Sequence, residues 1–375
     1  MYKVRVMPRK NTDLQDEILA RLVCSDGFCK ALGERPTSVR QLPLASEPDS
    51  ISGRVSLSRP SVFRLAVGYE DGREEICILK LKSEQIIKNG IELINCDRSP
   101  EFQQKLEAAR SILGYDGSHI RESRFYGGIA SSLGVYLPSF IGSFYDAESG
   151  LYAILMREYG SDCAPNVKLL LDALDAITDF HAHYYNRREC VDSLNLNHHT
   201  TDVYREQKGI LLGMLERLEA ENAATFSPEH RRLLYDFALH IDEHHSSLPK
   251  HETLTHNDFT PRNIFWRKSG IMIYDWELAC YQCPEHDLIE FLLFAMPHLS
   301  DGEIALLIEY FKEKLFTKCG ISFDGETYGR ILRFNLLEYC VNRLSLYRVC
   351  NKELHVDFIG ELARGAERLL TLMNI

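Results

Sequence analysis

The chain has 375 residues, 45% of them apolar and 26% charged, and a formal net charge of −11 at neutral pH. That is enough chain for two domains or one large bilobal unit with a sizeable core. The acidic balance argues against a nucleic-acid binder, which needs a basic face, and no stretch approaches the ~18 uninterrupted apolar residues of a membrane span. The eleven cysteines form no regular framework, and Cys280 and Cys283 make a CxxC without a second pair. They read as reduced thiols in a reducing compartment. The opening MYKVRVMPRKN lacks the apolar core of a secretory signal, so a cytoplasmic protein is expected.

In chain order, Thr12 to Ala31 reads as a short helix, followed by a Pro- and Ser-containing stretch from Leu42 to Pro60. Phe63, Leu65, Val67 and Tyr69 then alternate with the period of a half-buried strand, and Asp71-Gly72 signals a turn. The following ICILKLK places Ile76, Ile78, Lys80 and Lys82 on one face of a second strand, so residues 62–82 are a predicted hairpin. Phe102 to Leu113 and Ile120 to Leu133 read as helices, Val135 to Asp146 and Leu151 to Met156 as strands. Beyond residue 166 the apolar spacing is helical through Leu170–Tyr184, Leu211–Leu218, Leu233–Ile241, Ile304–Leu315, Thr327–Tyr347 and Phe358–Met373. One β interruption remains, Ile264 to Asp275. The expected fold is α+β and bilobal: an N-terminal lobe with a small antiparallel sheet over residues 1–158, and a larger, mainly helical lobe over 159–375.

Residues 256–263 read HNDFTPRN, a His-x-Asp-x-x-x-x-Asn pattern, and the predicted hairpin after them ends at IYDWE. A loop thus supplies a carboxylate and an amide, and a hairpin returns a second carboxylate, Asp275. Phosphoryl transfer needs such groups: one carboxylate to orient a hydroxyl and take its proton, and oxygen donors to hold a hard cation against phosphates. Each residue alone has a plainer reading. His256 reads as a buried, satisfied histidine, and Asp258 and Asn263 as turn residues. The order of the pieces carries the argument.

This order resembles the aminoglycoside phosphotransferase and choline kinase superfamily, which has the protein-kinase-like fold, and the HND opening is especially similar to choline kinases. The resemblance implies Asp258 as catalytic base, Asn263 and Asp275 as Mg²⁺ ligands, and His256 as support for the loop. The segment PEHDLIEFL resembles the family's P-x-x-DL segment, implying that Asp287 supports the same loop. It implies a strand lysine on the ATP phosphates, paired with a helix glutamate. Lys80 sits deeper in the apolar run than Lys82, which shares its face; Glu122 is the preferred partner and Glu107 the alternative. Backbone groups of Glu158, Tyr159 and Gly160 would meet adenine. The stretch from Ser52 to Ser61, with Gly53 its only glycine, would cover the phosphates.

Trp276 and Glu277 follow Asp275 directly and are candidate acceptor contacts, as are Glu338, Tyr339 and Asn342, because C-terminal helices build the acceptor pocket in the resembled family. The expected activity is transfer of the ATP γ-phosphate to a hydroxyl of a small molecule: a choline-like amino alcohol, an aminoglycoside or another hydroxylated metabolite. A nucleotide-binding pseudokinase acting as a scaffold is the alternative, motivated by the atypical phosphate loop. The segment Asn195 to Thr225 matches no acceptor pattern.

Overall fold

A computed structural model of the chain describes residues 13–43, 62–83, 117–220, 226–354 and 358–373. The expected helix over 102–113, the phosphate-loop candidates Gly53 and Ser61, and Glu107 lie outside the described residues. The described residues divide into two compact units. The first holds those up to 83 together with 119–160; the second holds 117–118 and those from 161 on. The chain is mixed α and β, as the sequence predicts.

In the first unit, α1 (Asp13–Val23) and α2 (Asp26–Leu32) replace the single helix expected there. The break is chemical: the Ser25 hydroxyl accepts from the Phe28 N–H and starts a new helix. Strands β1 (Ser38–Leu42), β2 (Val62–Gly68) and β3 (Glu74–Lys82) follow, then the short helix α3 (Ser118–Arg124), β4 (Phe140–Asp146) and β5 (Leu151–Arg157). The sheet is antiparallel with order β1-β2-β3-β5-β4. The expected helix over 120–133 stops at Arg124 and gives way to a π turn, Phe125–Ile129, and a 3₁₀ turn, Ala130–Tyr136. The Gly127-Gly128 pair there disfavours continued helix, and the next strand begins at Phe140 rather than Val135.

Period-two alternation decides which face of the sheet is dry. Leu65, Val67, Cys77, Leu79, Leu81, Ala153 and Leu155 join Leu19, Leu22 and Phe28 of α1 and α2 in one core. Helix α2 lies so close to β4 that a Cβ at Gly142 would sit 2.8 Å from the Ala31 backbone, so a glycine is needed where the helix crosses. At the β2–β3 turn the Gly72 N–H donates to the Tyr69 carbonyl (3.1 Å), and Gly72 adopts φ +81°. This is the left-handed residue of a three-residue hairpin loop. Lys80 lies on the face opposite the core, and its β5 partner is Ile154.

The second unit is mainly helical. It runs through α4 (Val167–Tyr184), β6 (Asn197–His198), α5 (Thr201–Ala220), α6 (Pro228–Leu239) and α7 (Ile241–Ser246). The strands β7 (Thr253–Thr255), β8 (Ile264–Arg267), β9 (Gly270–Ile273) and β10 (Cys280–Gln282) come next. Helices α8 (Glu285–Ala295), α9 (Asp301–Cys319), α10 (Gly325–Tyr339), α11 (Ser345–Leu354) and α12 (Phe358–Leu372) complete it. The Asn166 side chain accepts from the Leu169 N–H and so starts α4. Helix α8 is buried on nearly all sides, with Leu288, Ile289, Phe291, Leu292 and Leu293 all inaccessible. A helix buried all round belongs at the centre of its unit, and its polar residues Glu285, His286, Asp287 and Glu290 are held there too. Among the described residues no helix is long and apolar enough to cross a membrane.

Candidate active site

The site of the second unit grows from two short β elements. β7 and β10 pair antiparallel, with Thr255 opposite Cys280, so the chain leaving β7 at His256 passes close to the chain entering β10. β8 and β9 form a two-stranded hairpin with Ile264 opposite Ile273. One step beyond that register the Tyr274 N–H donates to the Asn263 carbonyl at 3.0 Å. Asn263 and Asp275, twelve residues apart in sequence, are therefore brought to the same end of one hairpin.

Within the loop, the Asn263 Nδ2 donates to the Asp258 carbonyl (2.9 Å) and to Asp258 Oδ2 (2.7 Å). With its nitrogen committed, the amide has its oxygen to offer a cation. Asp258, Asn263 and Asp275 then present only hard oxygen donors, the set that suits Mg²⁺ and not a soft metal. Among the described residues, two of the four non-glycine residues with positive φ lie here, Asn257 at 58° and Asp275 at 69°. Such conformations persist only where surrounding contacts fix them, and they concentrate at functional sites.

Charge is concentrated around Asp258. Burial, above all, pushes its carboxyl well above the usual carboxylate range; the neighbouring Glu290 and Asp275 push the same way, while Arg343 and the Asn263 amide pull it down. Glu290, on α8, is itself raised, chiefly by burial, with Arg343 and His286 opposing. Sequence reading missed both Arg343 and Glu290.

The support residues are placed with them. The Asp287 carboxylate accepts from the His256 N–H (2.8 Å), the Asn257 N–H (2.9 Å) and His181 Nε2 (2.9 Å). The His256 Nε2 donates to the Tyr274 carbonyl at 2.8 Å, tying the catalytic-loop candidate to the strand that delivers Asp275. Its ring packs on Trp276 with centroids 4.6 Å apart. Burial alone would raise Asp287, but the His181 hydrogen bond and the nearby histidines and backbone donor win, and its carboxyl sits below the usual range.

Because Asp287 is lowered on folding, its contribution is fully present above the unfolded value of about 3.9. It is lost as pH falls through the lower folded value. Asp287→Ala strands two buried backbone donors and His181, so we expect a loss of about 3–5 kcal/mol. Urea unfolding at pH 7 measures it, and the deficit should shrink towards pH 3. A deficit independent of pH would contradict the assignment.

In the first unit, Lys80 Nζ donates to both oxygens of Glu122, at 2.7 and 2.8 Å. The two side chains are 8% and 0% exposed. Lys82 Nζ stands 3.7 Å from Glu122 Oε2. The shared face predicted for the two lysines brings both to the same glutamate, and Lys80 takes the closer, two-fold contact. At the end of β5, Glu158 accepts from Arg64 Nη2 (3.0 Å), and its own N–H donates to the Ile76 carbonyl (3.0 Å). The Tyr159 hydroxyl is 2.6 Å from the Ser139 hydroxyl, and Gly160 closes the unit.

Four of the five acceptor candidates are buried. Trp276 and Tyr339 have no exposed surface. Trp276 packs between His256 and Phe180, and the Tyr339 ring lies 6.1 Å from His286. An inaccessible side chain touches no acceptor, so both are core residues in this conformation. Glu338 and Asn342 are also buried and bond each other, Nδ2 to Oε1 at 2.8 Å. Burial opposes ionisation of Glu338, yet His286, 3.6 Å away, and its other partners hold its carboxyl down at about 2. Glu277 lies on the partly exposed 3₁₀ turn after Asp275.

Residues 130–316 match the family described as APH, the phosphotransferase enzyme family. No curated protein matches the chain. The fold is similar to a crystal structure of a choline/ethanolamine kinase family protein from Mesorhizobium loti, with a TM-score of 0.51 and 13% identity over 96% of this chain and 95% of that one. It is similar also to a choline kinase from Cryptosporidium parvum Iowa II, with a TM-score of 0.51 and 8% identity over 90% and 88% of the two chains. At such identities the likeness is one of fold.

Proposed function

We propose that this chain, which belongs to the phosphotransferase enzyme family through residues 130–316, is a small-molecule kinase that moves the γ-phosphate of ATP to an acceptor hydroxyl with Mg²⁺ bound. The observation that carries the reading is the Asn263 amide bonded to Asp258 by its nitrogen, with a hairpin returning Asp275 beside it.

In this reading Asp258 accepts the proton of the acceptor hydroxyl as the oxygen attacks phosphorus. Its raised proton affinity suits a base that must take a proton from an alcohol. Asn263 Oδ1 and the Asp275 carboxylate hold the metal, which neutralises charge on the phosphates. His256 and Asp287 fix the loop without touching substrate. From the first unit, Lys80, oriented by Glu122, is the cation for the α- and β-phosphates, and the backbone of Glu158 to Gly160 is the adenine-binding segment. The acceptor is a hydroxylated metabolite, with amino alcohols and aminoglycosides the first classes to try.

Purified protein with Mg-ATP and a panel of amino alcohols, aminoglycosides and sugar-like alcohols tests this. ADP release stimulated by at least one acceptor, and stopped by EDTA, is expected. Nucleotide binding with no phosphate transferred to any acceptor or to water would instead mark a scaffold.

A further inference from the structure

The catalytic-loop candidate is held from a part of the chain that its motif does not include. After α10 the helix does not continue regularly: Cys340–Leu344 form a π turn. One extra residue in a turn rotates everything downstream by about 100°. The Ser345 hydroxyl donates to the Cys340 carbonyl at 2.8 Å, satisfying an acceptor at this irregular turn. Such turns recur at functional sites, and this one carries Arg343.

Arg343 is buried, and its Nη2 donates to the Asn257 carbonyl at 2.8 Å. Asn257 immediately precedes Asp258 and stands in the left-handed region at φ 58°. Each of its polar atoms is taken. Its N–H donates to Asp287 Oδ1, its Nδ2 to the Leu278 carbonyl at 2.9 Å, and its Oδ1 accepts from Gln282 Nε2 at 3.1 Å. Arg343 supplies the last of these contacts, from a positively charged donor. Asparagine tolerates the left-handed region, but a change of conformation at Asn257 would swing the peptide that carries Asp258, and the contacts on its polar atoms oppose that. The same guanidinium places a positive charge near Asp258 and Glu290.

We propose that Arg343 is a positioning residue for phosphoryl transfer, clamping the Asn257 carbonyl from the far helices so that Asp258 keeps one orientation. A guanidinium is costly to bury, and this one sits against the loop that carries Asp258. The inference rests on the proposed kinase reading.

The test uses full-length Arg343→Met, Arg343→Lys and Asp258→Asn, with Mg-ATP as the probe and phosphate release to water or to any active acceptor as the readout. Methionine keeps the length of the stem but offers neither donor nor charge. Misplacing a reacting group by about 1 Å lowers turnover by about 100-fold. Arg343→Met is therefore expected to lower kcat about 30- to 100-fold, with the ATP KM nearly unchanged. Arg343→Lys, which keeps a cation within reach of the carbonyl, should recover part of the loss. If Arg343→Met does not fold, Arg343→Lys must show the same split, kcat falling while KM holds. A kcat within about three-fold of the parent in a folded variant, or a parallel change of kcat and KM, overturns the positioning role. Turnover lost in Asp258→Asn but retained in Arg343→Met sinks this inference alone. A parent protein with no Mg-ATP turnover sinks the kinase reading and this inference with it.

Discussion

Asp258→Asn is expected to lower turnover by about 10²- to 10⁴-fold, the usual contribution of a general base, and at the same time to make the metal-free protein more resistant to heat. The two effects have one cause. Burial, with the Glu290 and Asp275 carboxylates nearby, raises the Asp258 carboxyl well above its usual range. A carboxyl whose pKa rises on folding favours the folded state when protonated, a contribution fully present below its unfolded value and lost as pH rises from there through the raised folded value. At neutral pH, well above the unfolded value, holding this carboxyl in its buried place therefore costs the folded chain stability. Asparagine removes the titrating group, keeps the shape, and leaves an oxygen to accept from Asn263 Nδ2, which now bonds Asp258 Oδ2 at 2.7 Å. Calorimetry in EDTA at pH 7, beside steady-state ADP release with Mg²⁺, checks both halves. A variant that is inactive but less stable would place Asp258 among the structural residues, and one that turns over normally would remove it from the site.

The sequence made visible what local periodicity and short-range order encode. The β2–β3 hairpin was legible because alternation and the Asp71-Gly72 turn act over a few residues. The pairing of Asn263 with Asp275 was legible because a hairpin brings its own ends together. Strand β1 was not: SVRQL is mostly polar, and it is a strand because β2 pairs with it, Ser38 to Gly68 through Leu42 to Arg64. The split of the first helix turned on a single cap at Ser25, which a smooth apolar period hides.

The site's supports were the least legible part. His181 reaches Asp287 across 106 residues, and Arg343 reaches Asn257 across 86. No spacing rule signals such contacts. In the sequence His181 is one more histidine on a helix, and Arg343 one more arginine near the C-terminal end. For a related reason, helical spacing tells which residues share a face but not whether that face is covered. Trp276 and Tyr339 lie on covered faces.

The Lys80–Glu122 pair offers the second large effect, because its structural and functional parts can be separated. Lys80→Met leaves the Glu122 carboxylate, which has no exposed surface, with its nearest described cation at 3.7 Å on Lys82. Removing one member of a buried pair costs about 3–5 kcal/mol, since the surviving charge stays buried without its partner. Lys82→Met, which spares the short contacts, should lose much less, and this difference decides between the two lysines. Taking away both charges is a different experiment. In Lys80→Met with Glu122→Leu both members of the close pair are gone, the longer Lys82 contact at 3.7 Å being lost with them, and replacing a buried pair by apolar groups of similar volume is often neutral. The double variant should therefore recover most of the stability in urea unfolding. It should not recover function if Lys80 is the proposed cation for the α- and β-phosphates: its ATP KM should then remain raised and its kcat low. If stability and turnover return together, the pair is only a structural tie within the first unit. If stability returns and turnover does not, the buried charge at Lys80 is retained for the nucleotide and not for the fold.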